Sequence, residues 1–282
     1  MTAEPRISPR LGIAALLAPL PLLLVAAYAV PFLGIATWSV TLPTPGLSRW
    51  AMVVSDPLLL SVVLRTLRIC LTTTALSVTL AYVLAYVWVR GTARWSFAVE
   101  LCVLVPFWIS VLTRAFGWVA LLSNRGLLNT WGHELGLLAE PLTLVRNEFG
   151  VVVGMTHFLV SFAVLPLASA MRRVDERVLM AARGLGAGPI RTFWTVWLPM
   201  TKAGIVGATL LVLVFSLGFF VTPAILGGGR SVMIAEFVWV RMFQSPDWGL
   251  GAAISLALLI VVAALMALFV RFARPRDLVG GR

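Results

Sequence analysis

The sequence predicts an all-α integral membrane protein with six transmembrane helices and a cytoplasmic helix–turn–helix between the fourth and fifth. Three observations carry that prediction. Of the 282 residues, 60% are hydrophobic and 12% charged, against roughly 25% charged in soluble domains, and the mean hydropathy is +1.00. The apolar residues gather in windows of about 20 or more, the length that crosses a hydrocarbon core. The basic residues gather between those windows and are shared unequally between alternate loops, which is the pattern of positive-inside topology.

A formal net charge of +11 on a soluble protein would suit a nucleic-acid partner. Here the charges sit in clusters between apolar runs rather than on one basic face, so the partner expected is the lipid bilayer and not nucleic acid.

The elements follow in order. Residues 1–10 form a cytoplasmic tail carrying Arg6 and Arg10. Leu11–Thr37 is then too long for the apolar region of a signal peptide, so it reads as a retained first span. The remaining windows are Ser61–Val89, Trp95–Leu122, Gly150–Met171, Ala203–Leu226 and Leu250–Val270. Together they make one membrane domain over 11–271, followed by a cytoplasmic tail over 272–282. Pro19, Pro21, Pro31, Pro106, Pro166 and Pro223 interrupt the windows, as membrane helices tolerate where neighbours or water satisfy the freed backbone.

With the N-terminus inside, the outer loops hold Arg49, Arg125, Arg146, Arg230 and Arg241. The cytoplasmic set is much larger: Arg6, Arg10, Arg90, Arg94, Arg172, Arg173, Arg177, Arg183, Arg191, Lys202, Arg271, Arg274, Arg276 and Arg282. That asymmetry places both termini in the cytoplasm. Arg65 and Arg68 open the second span and suit interfacial snorkelling. Leu127–Trp131 suits a short interfacial helix, and Trp38, Trp50, Trp95, Trp131 and Trp248 near span ends suit an aromatic belt. Cys70 and Cys102 lie in apolar segments outside any CxxC pair and read as small apolar residues. His133 and His157 have no neighbouring ligand set, so no metal site is expected.

The longest cytoplasmic loop, 172–199, holds the strongest local signals. Asp175 suits an N-cap before a short helix. Gly186 and Gly188 can end that helix and turn the chain. Pro189 suits the first position of a second helix, and Pro199 marks the start of the fifth span. The loop is too short, and too closely pinned between spans, for a DNA-binding helix-turn-helix.

This segment resembles the signature of binding-protein-dependent ABC importer permeases: Glu-Ala-Ala, three residues, Gly, nine residues, then Ile-x-Leu-Pro. Ala181 and Ala182 match the alanines, Gly186 the glycine, Val196 the isoleucine position, and Leu198 and Pro199 the end. Met180 stands where the signature has glutamate. Glu176, one turn earlier on the same helix face, is the carboxylate that could substitute. The resemblance implies the six-span type I ABC importer permease fold. It also implies that Asp175, Glu176, Met180, Ala181, Ala182, Leu185, Gly186, Leu198 and Pro199 belong to a coupling loop docking on an ATPase subunit.

From about the second span to the C-terminus the chain also resembles the spermidine/putrescine-type branch, in particular its first permease subunit. Pro106-Phe107-Trp108-Ile109-Ser110 with Thr113-Arg114-Ala115-Phe116-Gly117-Trp118 is similar to that branch's P-x-W-x-S…R-T-Y-A-W, with the Arg–Thr order reversed. Gly126–Asn129 is similar to its G-L-L-N, Gly218–Gly228 to its G-x-F-V-T-P-x-L-L-G-G, and Asp247-Trp248 with Gly251-Ala252-Ala253 to the motif before its last span. What this implies is half of a translocation pathway in a bacterial inner membrane. The cargo would be a small organic solute: a polyamine such as spermidine or putrescine, or a related amino-acid derivative, opine or phosphonate. The implied partners are a second, similar permease subunit as a heterodimer, an ABC ATPase dimer that binds ATP and Mg2+, and a periplasmic or lipid-anchored solute-binding protein. No cofactor is expected on this chain.

The pathway candidates are Phe107, Trp108, Ser110, Arg114, Trp118, Phe219, Phe220, Thr222 and Pro223. Arg114 reads either as a pathway or gate residue, since intramembrane charges face bundle interiors or water, or as an outer-interface residue on a short third span. Facing the pathway, it would repel a polyammonium ion and suit a carboxylate or phosphonate. The aromatic residues can hold ammonium groups or simply pack. Ser110, Ser216 and Thr222 can bond freed carbonyls or line a path. Pro223 before Gly227-Gly228-Gly229 suits a broken helix end. Glu236 reads as a solvated loop carboxylate. No Walker lysine motif occurs, and no nucleophile–base set, so neither ATP hydrolysis nor a membrane-embedded enzyme is expected. An autonomous channel or secondary transporter is the alternative. It calls for paired midplane charges and inverted repeats, which the sequence does not display.

Overall fold

In the computed structural model residues 17–272 are described, and 81% of those described residues are helical. The tails, with Arg6, Arg10, Arg274, Arg276 and Arg282, and the first residues of the expected first span lie outside the described residues. Among the described residues five helices are long and apolar enough to cross a membrane, and a bent pair supplies a sixth span if counted as one. The expected all-α, six-span class is what the chain forms.

The chain divides into two compact units. One runs to Ser55 and includes Val240–Leu258. It holds α1 (Pro19–Thr41), α2 (Ser48–Ser55), a wide π-helical turn at Val240–Gln244 and the start of α13 (Trp248–Phe272). Within α1 only Ser39 is buried. Trp38 meets Trp248 edge-on with ring centroids 5.6 Å apart, and Arg49 pairs with Asp247 at 3.1 Å.

The second unit, Asp56–Trp239 and the residues from Leu259 on, is built on three helices. These are α3 (Pro57–Arg90), α7 (Glu148–Arg172) and α10 (Leu198–Leu217), packed against one another. The sequence dictates the contact. On α7, Val151, Met155, Leu159, Ala163, Leu167 and Met171 recur every fourth residue and all are buried, one stripe of a helix. On α10 the buried positions are the small or slender Thr201, Gly204, Ala208, Val212 and Ser216, with Leu217 at the end. A Cβ on Gly204 would lie 2.4 Å from that of Ala170, the close approach that small residues permit between membrane helices. On α3 the inner face carries Thr66, Thr73, Thr74 and Ser77 while Leu60, Leu64, Leu67 and Leu71 face out. Small polar groups share that inner face with Leu59, Val62 and Ile69, and the row of leucines outside fits a lipid surround.

The expected third span is not continuous. It forms α4 (Ala93–Trp108) and α5 (Val111–Leu122), with a bend of 108° between Ala93–Trp108 and the stretch Val111–Glu134. Pro106 supplies no N–H to the turn before it, and Ile109 and Ser110 take extended backbone angles. The helix α6 (Leu127–Glu134) follows, covering the expected interfacial helix. The expected fifth span, Ala203–Leu226, is also redrawn. α10 begins at Leu198, stops at Leu217, and is followed by the short α11 (Val221–Gly227), which ends at Gly228 in the left-handed region. α12 (Ile234–Trp239) is anchored to α3 by the Ile234 N–H donating to Thr66 Oγ1 at 2.9 Å.

Two smaller expectations change. Arg65 and Arg68 do not simply snorkel: both pair with Glu148 at the start of α7. Glu236 is not a solvated loop carboxylate. It sits on α12, only 8% exposed, because the turn after α11 folds that segment back onto α3. Cys70 and Cys102 are both free.

Candidate functional site

The loop between α7 and α10 folds as a helix–turn–helix. Asp175 caps α8 (Glu176–Gly184), its Oδ1 accepting the Arg177 N–H at 2.9 Å. At the other end the Gly186 N–H donates to Arg183 O at 2.9 Å and the Ala187 N–H to Ala182 O at 3.1 Å. These two bonds form a Schellman motif, with Gly186 at its left-handed position (φ 85°). No heavy atom lies within 4 Å of a Cβ built on Gly186. Its lack of a side chain therefore answers the backbone angle, not crowding inside the chain.

Leu179 points inward. Met180, 59% exposed, and Leu185, 89% exposed, face away from the chain, and Ala181 is exposed and Ala182 half-buried beside them. Glu176 is paired with Arg90 at the end of α3. Arg90 also lies over the Trp197 ring, 4.8 Å from its centroid, and Trp197 meets Tyr86 edge-on at 5.4 Å. Beyond the turn, α9 (Pro189–Thr192) continues through a π-helical stretch, Phe193–Trp197, into α10. The Leu198 N–H reaches back to Phe193 O. Pro199 explains the widening: it has no N–H for the carbonyl four residues back and its ring crowds that group. Leu198 and Pro199 thus lie inside one continuous helical stretch, Pro189–Leu217, rather than at the start of a new one.

The pathway candidates separate into groups. Phe107, Arg114 and Phe219 come together, joined by residues that sequence reasoning missed. Phe107 packs on Phe162 at 5.0 Å, Phe162 on Phe158 at 5.0 Å and on Phe215 at 5.1 Å, and Phe158 on Phe219 at 5.1 Å. The signal was present as two Phe pairs at i, i+4 spacing, Phe158/Phe162 and Phe215/Phe219, which share helix faces. The Arg114 guanidinium lies 4.3 Å above the Phe158 centroid, and its Nε and Nη1 are buried without a hydrogen-bond partner. A cavity of about 470 Å³ opens beside this cluster, lined by Val111, Phe158, Val214, Phe215, Phe219 and Val221 among others.

The other candidates lie elsewhere. Trp118 donates from Nε1 to His157 Nδ1 at 3.1 Å, which fixes the neutral tautomer with its proton on Nε2. Trp108 is 84% exposed and points outward. Ser110 stands at the bend before α5 without a capping bond from its side chain. Phe220 packs on Trp239 at 5.8 Å. Thr222 and Pro223 are buried, Thr222 against Gly154, where a Cβ would meet its Cγ2 at 2.8 Å. Among the described residues no group of three or more His, Cys, Asp or Glu could hold a metal ion.

Comparison with known proteins matches this geometry. The family described as binding-protein-dependent transport system inner membrane component matches residues 77–276. The spermidine/putrescine transport system permease protein PotB of Haemophilus influenzae (strain ATCC 51907 / DSM 11121 / KW20 / Rd) is 31% identical over 216 residues, 77% of this chain and 76% of that protein. PotB of Escherichia coli (strain K12) is 31% identical over 219 residues, 78% of this chain and 80% of that one. Among solved structures, the bacterial alginate ABC transporter in complex with alginate pentasaccharide-bound periplasmic protein contains a chain of the same fold. Its TM-score is 0.75 at 15% identity, over 94% of this chain and 94% of that chain.

Proposed function

The chain belongs to the binding-protein-dependent transport system inner membrane components, the permease subunits of ABC importers, and from that membership we propose that it carries a polyamine of the spermidine/putrescine type. The observation that carries this reading of the cargo is the 31% identity, across three-quarters of the chain, to permeases named for that transport. The subunit forms half of the pathway with a second, similar permease as a heterodimer, and a solute-binding protein delivers the cargo from outside. Both termini lie in the cytoplasm, in keeping with the excess of Lys and Arg in alternate loops.

The loop 172–199 docks on the ATPase dimer, which supplies ATP and Mg2+. The exposed Met180, Ala181 and Leu185 beside the Schellman turn offer an apolar contact without a carboxylate at position 180. Closure of the ATPases on nucleotide drags α8, and the tie from Glu176 to Arg90 together with the continuous helix into α10 carries that movement into α3 and α10. The switch between inward- and outward-facing pathways is a population shift driven by differential nucleotide binding.

One observation favours a second cargo, a solute bearing a carboxylate or phosphonate. The Arg114 guanidinium covers Phe158, a face that an ammonium group would otherwise use, and holds two unpartnered donors. Reconstitution with the ATPase and binding protein separates the two readings. ATP-dependent uptake of labelled spermidine or putrescine, unaffected by excess 4-aminobutyrate or phosphonate, supports the polyamine. Uptake confined to the acids, and lost in Arg114→Gln, overturns it.

A further inference from the structure

We propose that a recess at the start of α7 is a carboxylate socket that receives an acidic side chain of the docking solute-binding protein. The inference rests on the importer reading and adds the site and its chemistry.

The recess holds about 590 Å³, and its polar lining is Arg146, Arg230, Asn124, Asn147, Ser123 and Thr143. It carries two guanidinium groups and no carboxylate. Among the described residues neither Arg146 nor Arg230 has an ion-pair partner: the adjacent Glu148 is already held by Arg65 and Arg68 on α3. Both arginines are exposed. A guanidinium fork suits a planar carboxylate, which accepts two parallel bonds from it, and the second arginine adds positive charge to the same recess.

The backbone is committed to this placement. Arg146 is the one non-glycine residue among those described with a positive φ, 60°, a sparsely populated region that gathers at functional positions. Its N–H donates to Leu226 O at 2.7 Å, tying the segment before α7 to the end of α11. Its side chain runs along Gly228, where a Cβ would come within 2.7 Å of Arg146 Cγ. Asn147 holds the loop from inside, accepting the Gly150 N–H at 3.0 Å and donating to Thr143 O. A left-handed arginine, a glycine that makes room for it and an asparagine clamp act together to present Arg146 at the rim.

Position selects the partner. The 25 residues of α7 rise about 37 Å, more than the roughly 30 Å hydrocarbon thickness, and the coupling loop follows its far end. The recess therefore lies on the face opposite the ATPases, where the solute-binding protein docks. Its arginines stand at loop level rather than beside the Phe158–Phe162 cluster, so they meet a docking surface before a solute enters the pathway. Exposed charges of this kind act mainly on association, through steering that weakens with salt.

The test uses the complete transporter in phosphatidylcholine nanodiscs and the solute-binding protein that supports uptake in reconstitution. Arg146→Glu with Arg230→Glu should weaken binding-protein affinity at least tenfold at low salt, mostly through the association rate, and flatten its salt dependence. ATPase co-purification and basal ATP hydrolysis should stay at wild-type levels. Arg146→Lys with Arg230→Lys, which keeps the charge but not the fork, should fall between, and it stands in if the glutamate pair fails to fold. Unchanged affinity in either pair, with basal hydrolysis intact, overturns the socket while the importer reading stands. Failure of the wild type to bind an ATPase overturns that reading instead. If wild-type affinity requires added phosphatidylglycerol and the variants abolish that requirement, a lipid headgroup fills the recess and the proposal falls.

Discussion

Substitution at Gly186 isolates one physical effect. Its φ of 85° is left-handed, and a Cβ there would meet nothing within the chain. A side chain therefore carries a backbone cost and no steric one. That cost is about 1–2 kcal/mol for an ordinary L residue, and smaller for Asn, which tolerates the region. A loss of about 1 kcal/mol changes a local equilibrium about fivefold. The readout is amide hydrogen exchange at residues 186 and 187, whose N–H groups close the turn onto Arg183 and Ala182. Gly186→Asn should lose little protection, Gly186→Ala about fivefold, and Gly186→Val more, since β-branched residues fit positive φ worst. Coupled transport should fall in the same order. Full protection in the valine variant, or equal losses for Asn and Ala, would refute the conformational argument. If the asparagine variant keeps its protection yet loses ATPase association, a partner surface contacts position 186 directly, and the docking role is then steric.

Three further outcomes follow from the packing. A double-mutant cycle of Arg90→Ala and Glu176→Ala should give a coupling of about 0.2–1 kcal/mol, the range of solvent-accessible pairs. Arg90→Ala alone should cost more than its partner, because it also removes the stacking on Trp197; thermal unfolding in detergent reads both. Gly204→Ala should destabilise by about 1–3 kcal/mol, because Ala170 Cβ and Pro166 O on α7 lie 2.4 and 3.3 Å from the added methyl and neither can rotate away. For Glu236, which lies outside the long spanning helices, burial raises the carboxyl pKa and a backbone hydrogen bond from Met233 partly offsets it. The folded state then holds its proton more tightly than the unfolded chain. Stability is full below the ordinary carboxylate range and falls as pH rises through the raised value. Glu236→Gln should flatten that pH dependence in melts run between acid and neutral pH.

The connection from the 172–199 loop into the bundle is a chain of named contacts. Glu176 holds Arg90, Arg90 lies over Trp197, and Trp197 meets Tyr86. One turn further, Tyr82 shares a hydrogen bond with Thr201 at 3.0 Å. α8 is thereby bound to α3, and α3 in turn to the π-helical stretch and to α10. The carboxylate expected to replace the one missing at Met180 serves this internal tie, which leaves Met180 and Leu185 as the exposed face of the loop.

By itself the sequence determined what depends on neighbours within a few residues and on the solvent. Apolar window length located the long helices. Asp175, Gly186 and Pro189 marked the ends within the 172–199 loop because caps and left-handed turns are local events. Tertiary structure alone decided what depends on residues far apart. Hydropathy reads Trp95–Leu122 as one window, since apolar composition is the same on either side of a bend, and only packing reveals the 108° turn at Ile109–Ser110. Phe107 and Phe219 become one cluster because α7 brings Phe158 and Phe162 between them. Glu236 is buried because the chain after α11 returns to Thr66 on α3. Glu176 is engaged because α3 ends beside α8. In each case the deciding partner is distant in the chain, and which distant groups meet is fixed by how the helices pack.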